Sequence, residues 1–155
     1  MGKQEITTTV IKIKSGSKFE DIASYSRLVC VGNHIYISNT AGRHPETREM
    51  SEDVTEQSFQ AIANIERALL AVGSCLADTL AIRVFVPNPA DADAVGAVLG
   101  KKFRGIDPAC TLTCSPLASD AFKMEMDAVA HRGASENEAE YLDLSSNSRQ
   151  PPGIA

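Results

Sequence analysis

Four thiols, at Cys30, Cys75, Cys110 and Cys114, are the first groups in this chain with reactive chemistry to offer. Their even number suggests disulfides, but the start of the chain, Met-Gly-Lys-Gln-Glu-Ile, has no apolar secretory core, so free thiols are expected. Cys110 and Cys114 are four apart, in a β-branched context that reads as strand. Strand geometry separates such positions by about 13 Å, too far to share one zinc ion, and no histidine follows at ligand spacing. No metal is expected. Cys110, Leu112 and Cys114 then share one strand face, where Cys110 is either a nucleophile or a space-filling side chain. Asp127 sits in a run where Lys123, Glu125 and Asp127 alternate with Met124, Met126 and Ala128. A carboxylate on such a half-buried strand can serve as an acid or base, or simply carry a salt bridge. Arg43 and His44 in a polar loop, and Arg83 inside an apolar strand, are candidates for binding an anion. A buried Arg83 would need a carboxylate partner in any case. Ser26, Ser38 and His34 do not make a hydrolase signature, since no Gly-x-Ser-x-Gly occurs.

Charge and composition exclude other classes. The net charge is -5, and no Lys/Arg run exceeds Lys101-Lys102, which argues against a nucleic-acid partner. No stretch approaches the roughly 18 apolar residues of a membrane span, so a cytoplasmic location is expected. The length suits one domain.

The elements that must position these groups can be read from periodicity. Ile6 to Lys14 is rich in β-branched residues and predicts a strand; Leu28–Val31 and His34–Ser38 predict a hairpin about Gly32-Asn33. Residues 39–50, with Gly42 and Pro45, predict a loop. Ser51 and Asp53 offer caps for a helix whose Phe59, Ile62, Ile65, Leu69 and Val72 form one apolar face, stopped at Gly73. A strand follows over Thr79–Val86, then a helix carrying Val95, Val98, Leu99 and Phe103. Its Gly96 and Gly100 suggest close packing against the sheet, the alternative being a merely weak helix. Thr111–Cys114 and Lys123–Ala130 predict the last two strands, and the acidic, Ser-rich residues 132–155 read as a polar tail on a domain of residues 1–131. The order is β-β-β-α-β-α-β-β, an α+β protein with one sheet and two helices on one face. The other face needs covering, so oligomerisation is a physical expectation.

In this order, several short motifs resemble the RidA/YjgF superfamily over about residues 20–131. Tyr25-Ser26-Arg27 with Val31-Gly32-Asn33 is similar to the family's opening, and Ile35-Tyr36-Ile37-Ser38 to its Y-x-S-G strand, with Asn39 in place of the glycine. Ala71-Val72-Gly73-Ser74, Arg83-Val84-Phe85-Val86, Pro108-Ala109 and Glu125-Met126-Asp127-Ala128-Val129-Ala130 match further signatures. The resemblance implies a chorismate-mutase-like fold with a mixed six-stranded sheet, a homotrimer, clefts between subunits and no cofactor. The implied activity is hydrolysis of small enamines or imines to a carbonyl compound and ammonia. It places Tyr25, Ser38, Asn39, Arg43, Arg83 and Cys114 as substrate-binding candidates, with Asp127 and Cys110 as catalytic ones. The chain departs from the family at Cys110, where an arginine after Pro-Ala grips the substrate carboxylate. It is therefore expected to be a non-archetypal hydrolase or deaminase, the alternative being a non-catalytic small-molecule-binding or regulatory trimer.

Overall fold

The computed structural model describes residues 9–145. Six strands form one sheet: β1 (Val10–Ile13), β2 (Leu28–Val31), β3 (His34–Ala41), β4 (Thr79–Phe85), β5 (Ala109–Thr113) and β6 (Glu125–His131). Their spatial order is β1-β2-β3-β6-β4-β5; β4 and β5 run parallel and the remaining neighbours antiparallel. The main helices are α2 (Val54–Ala71) and α3 (Ala92–Lys102), with a five-residue helix α1 (Lys18–Ile22) between β1 and β2. This is the mixed α+β architecture expected.

The core lies between the sheet and the two long helices. Leu28, Ile35, Ile37, Ile82, Val84, Met126 and Ala128 meet Ile62, Ile65, Leu69, Val95 and Val98 there, all buried. On the opposite face Tyr36, flanked in register by Val29 and Val129, remains 54% exposed and Leu80 50% exposed. No second layer of this chain covers them among the described residues.

Local chemistry accounts for the boundaries. The Asp53 carboxylate accepts from the Glu56 backbone N–H at 2.9 Å and starts α2. At the other end, Gly73 takes φ +71, and the N–H groups of Gly73 and Ser74 return to Leu70 and Leu69. Gly32, at φ +60, turns the β2–β3 hairpin, with Val31 paired to His34.

Several expectations need correction. The first strand is shorter than expected, Val10–Ile13, and positions 6–8 of the expected strand lie outside the described residues. β3 continues through Asn39–Ala41, where a loop was expected. Between Ile37 and Thr40 the register shifts: Ile37 pairs with Ala128 and Thr40 with Met126, so Ser38 and Asn39 together oppose Asp127. This bulge turns Thr40 inward and Asn39 outward. Polar residues can then continue a strand without burying an amide. α1 was not expected, because only a buried glutamate, Glu20, anchors it. Gly96 and Gly100 do not pack closely: a Cβ at either position would meet nothing within 4 Å. Both lie on the exposed side of α3, and the helix is simply weaker for them.

The polar residues that follow β6 are held at their start. Arg132 donates to the Val72 and Gly32 carbonyls, and Ser135 donates from its N–H and hydroxyl to buried Asp78, at 3.0 and 2.8 Å. The Ser74 hydroxyl donates to the other Asp78 oxygen at 2.7 Å. Burial raises the Asp78 pKa, but the hydrogen bonds from Ser135, Ser74 and Gly133 outweigh it and hold the carboxyl well below the usual range.

Candidate functional site

A cleft of about 360 Å³ opens where the β1–α1 loop, the bulged end of β3 and one face of α2 meet the start of β6. Its frame is a chain of charges. Glu20, buried in α1, accepts from the Ser15 N–H at 2.8 Å and the Ser15 hydroxyl at 2.6 Å, and pairs with the Arg27 Nε at 3.3 Å. From Nη1, Arg27 also donates to the bulge, to the Asn39 carbonyl at 2.7 Å and the Thr40 hydroxyl at 3.0 Å. Its guanidinium also lies 5.9 Å from the Tyr25 ring centre. Once the bulge has turned it outward, the Asn39 amide donates to Glu125 Oε2 at 2.7 Å. Burial pushes the Glu125 carboxyl above its ordinary value of 4.5, and the nearby positive charge of Arg27 opposes the shift. A half-buried carboxylate with a raised pKa and one amide partner is suited to moving protons.

The helix and loop facing Glu125 are set by close approach. A Cβ at Gly42 would fall 2.1 Å from the Gln57 carbonyl oxygen, so only glycine lets β3 run this near α2. The buried Gln57 amide donates to the carbonyls of Ser51 and Ala121 and accepts from the Lys123 N–H at 3.0 Å. These bonds fix the segment leading into Glu125.

Of the residues expected from sequence, Tyr25, Asn39 and Arg43 line this cleft. Ser38 lies beside it, with its hydroxyl donating to the Ser26 carbonyl at 2.7 Å and so bracing the neighbouring loop. Asp127 and Arg83 face each other across β6 and β4 as a two-pronged pair, Nη2 to Oδ2 at 2.7 Å and Nε to Oδ1 at 3.1 Å. Both Asp127 oxygens are thereby engaged on the open sheet face, and the cleft's carboxylate is Glu125. Cys110 is on edge strand β5, paired with Ile82, in a shallow depression with Leu99, Phe103 and Asp107. Burial pushes its thiol pKa up, which disfavours the nucleophilic thiolate. Cys114 is exposed just past the end of β5. Within one chain, β6 and β4 separate these thiols from β3 and its Asn39.

Sequence reasoning had not selected Glu125, Arg27, Arg48 or Arg67, all of which line the cleft. Glu125 and Asp127 share a strand face by alternation, and only the bulge decides which of them meets Asn39. The repeated carboxylate pattern was a signal, but it could not rank the two.

Comparison with known proteins agrees with this fold. The model of the Endoribonuclease L-PSP family matches residues 15–132. A 2-iminobutanoate/2-iminopropanoate deaminase of Dermatophagoides farinae is 30% identical over 91 residues, covering 58% of this chain and 71% of that protein. A RutC family protein of Pyrococcus abyssi is 30% identical over 113 residues, covering 72% and 88%. Among solved structures, a YjgF/YER057c/UK114 family member from Mycobacterium tuberculosis superposes with a TM-score of 0.73 at 28% identity, covering 79% of this chain and 99% of that one. With the sheet order, the helix pair and the family match in agreement, this chain belongs to the Endoribonuclease L-PSP (RidA/YjgF) family.

Proposed function

We propose that this protein is a hydrolase of small imines and enamines, with Glu125 as its proton-transfer group. The observation that carries this reading is the Glu125 carboxylate, raised in pKa by burial, oriented by Asn39 and set in a cleft with Arg27. The similarity to a 2-iminobutanoate/2-iminopropanoate deaminase supports it.

An enamine first takes a proton on its β-carbon and becomes an iminium ion. The Glu125 carboxylate accepts a proton from water as the water oxygen bonds to the iminium carbon, giving a carbinolamine. The protonated Glu125 then returns that proton to nitrogen, the C–N bond breaks with its electron pair leaving on ammonia, and the hydroxyl proton passes to that ammonia, so that a carbonyl compound and ammonium are released. Glu125 ends as it began. Tyr25 and Asn39 border the reacting carbon, while Asp127 and Arg83 keep β6 and β4 in register. A homotrimer that covers the exposed Tyr36, Leu80 and Val129 face, and brings a neighbour's surface against each cleft, belongs to the same proposal.

The test is the clearance of 2-aminoacrylate and of 2-iminobutanoate, generated in place and followed by semicarbazide trapping. Faster loss of the trapped species, in proportion to protein concentration, is expected. No acceleration with either compound, while the keto acid still binds, would replace the hydrolase with a binding module.

A further inference from the structure

Although the chain as a whole is acidic, among the described residues this cleft is lined by five cationic side chains against the single carboxylate of Glu125. Three of the five are committed. Lys14 donates to the Tyr25 carbonyl, Arg27 is tied to Glu20 and the bulge, and Arg43 donates to the Arg48 carbonyl at 2.7 Å. The other two, Arg48 and Arg67, have no hydrogen bond or ion pair through their guanidiniums among the described residues.

The two come from elements held against each other. Arg67 stands three residues after Asn64 on α2, and the Asn64 amide donates to the Ala41 and Arg43 carbonyls at 3.1 and 2.9 Å. Residues at that helical spacing share a face. The 43–50 turn therefore leans on the α2 face from which Arg67 rises, and Arg48 sits in that turn. Arg48 has φ +65, a left-handed conformation that glycine adopts freely and a long side chain adopts at a cost of about 1 kcal/mol or more. Folding alone would favour glycine there, so the guanidinium is the return on the strain. Phe19, 58% exposed, and Phe122 supply an apolar wall to the same cleft.

We propose that Arg48 and Arg67 form the anion site of this cleft and take over the carboxylate grip for which Cys110 has no charge. This deepens the hydrolase reading and rests on it. The carboxylate is gripped from α2 and the 43–50 turn, and the C=N carbon is turned toward Glu125. The position where the family's arginine follows Pro-Ala, here Cys110, is not needed for this grip. Planar guanidiniums suit a carboxylate, and a cleft in which cations outnumber carboxylates concentrates anions from solution.

The test is calorimetric titration with 4-methyl-2-oxopentanoate and with its neutral amide, using the intact protein and the variants Arg67→Met and Arg48→Gly. The acid is expected to bind at least about tenfold more tightly than the amide, with an affinity that falls as salt is added. Each variant should weaken the acid about tenfold and leave the amide unchanged, and Arg48→Gly should also raise the melting temperature as the strain is released. Equal binding of acid and amide, no binding of either, or wild-type affinity for the acid in both variants would overturn the anion site. Acid binding that responds to both variants, without any imine turnover, would instead refute the hydrolase and leave the anion site standing.

Discussion

Replacing Glu125 by Gln removes the proposed proton-transfer group and little else. The glutamine carbonyl oxygen can still accept from Asn39, which now reaches Glu125 Oε2 at 2.7 Å, so the bulge and the cleft wall should persist. What is lost is a base for the attacking water and an acid for the departing nitrogen. Positioned acid–base groups contribute roughly 10²–10⁴-fold to rate, equivalent to about 3–5 kcal/mol of barrier. A fall of that size in kcat for imine hydrolysis, with an unchanged melting temperature and an unchanged affinity for the keto acid, is the expected result. The pH profile gives a second readout. The carboxylate is the working form, so the rate should fall as pH drops through the Glu125 pKa, and burial places that limb above 4.5. The Arg27 charge pulls the limb down, so Arg27→Gln should move it upward, provided circular dichroism shows the sheet intact. Glu125→Gln retaining more than a tenth of the wild-type kcat, or an acid limb at or below 4.5, would refute the assignment.

Three stability predictions follow from buried polar groups and exposed glycines. Asp78→Ala should cost about 3 kcal/mol in urea unfolding at neutral pH, because it strands the Ser74 and Ser135 donors and removes a charged acceptor. Since the folded pKa of Asp78 is depressed, its contribution is complete above the unfolded value near 3.8 and is lost as pH falls below it toward the folded value. The gap between wild type and variant should therefore narrow only below about pH 4. Thr79→Val should stabilise by about 1 kcal/mol, or about 2–4 °C in thermal melting, because the buried Thr79 hydroxyl has no partner among the described residues and a methyl of like shape needs none. Gly96→Ala should also gain up to about 1 kcal/mol, since its Cβ meets nothing and the helix gains propensity; a loss in either melt would contradict the packing described.

The fold was legible because its signals are local and periodic. The face built on Ile62, Ile65 and Leu69, the Gly32 turn and the alternation from Lys123 to Ala130 each state an element type in a few residues. The site was harder to read, because it depends on a defect in that periodicity. A strand read by strict alternation turns either the 38 or the 39 side chain inward, and both are polar, so the pattern predicts an end to the strand. The structure instead spends two residues opposite Asp127 and resumes pairing at Thr40. No sequence rule for Ser38-Asn39-Thr40 announces this, because the group that stabilises the bulge, Arg27, lies 12 residues from Asn39 and is itself aimed by Glu20. Choosing between Glu125 and Asp127 required that long-range arrangement.

The buried charges of this protein are therefore better understood as geometry than as stability. A Glu20–Arg27 pair withdrawn from water is about neutral against well-packed apolar side chains, and Arg27 could be replaced by a hydrophobic residue if holding β2 to β3 were its only task. An apolar side chain, however, could not donate simultaneously to the Asn39 carbonyl and the Thr40 hydroxyl. Without those bonds the bulge can relax by one residue, and such a slip exchanges inward and outward positions. Asn39 would then leave Glu125 and Thr40 would surface. Glu20 thus acts on the proposed chemistry at two removes: it fixes Arg27, Arg27 fixes the bulge, and the bulge delivers an amide to Glu125. Glu20→Gln, which keeps the shape and loses the charge, should leave the sheet folded while it loosens Asn39. Its cost should appear as a displaced acid limb in the pH profile and a lower kcat, together with a stability loss of about 3 kcal/mol because the Arg27 charge is left buried without its partner.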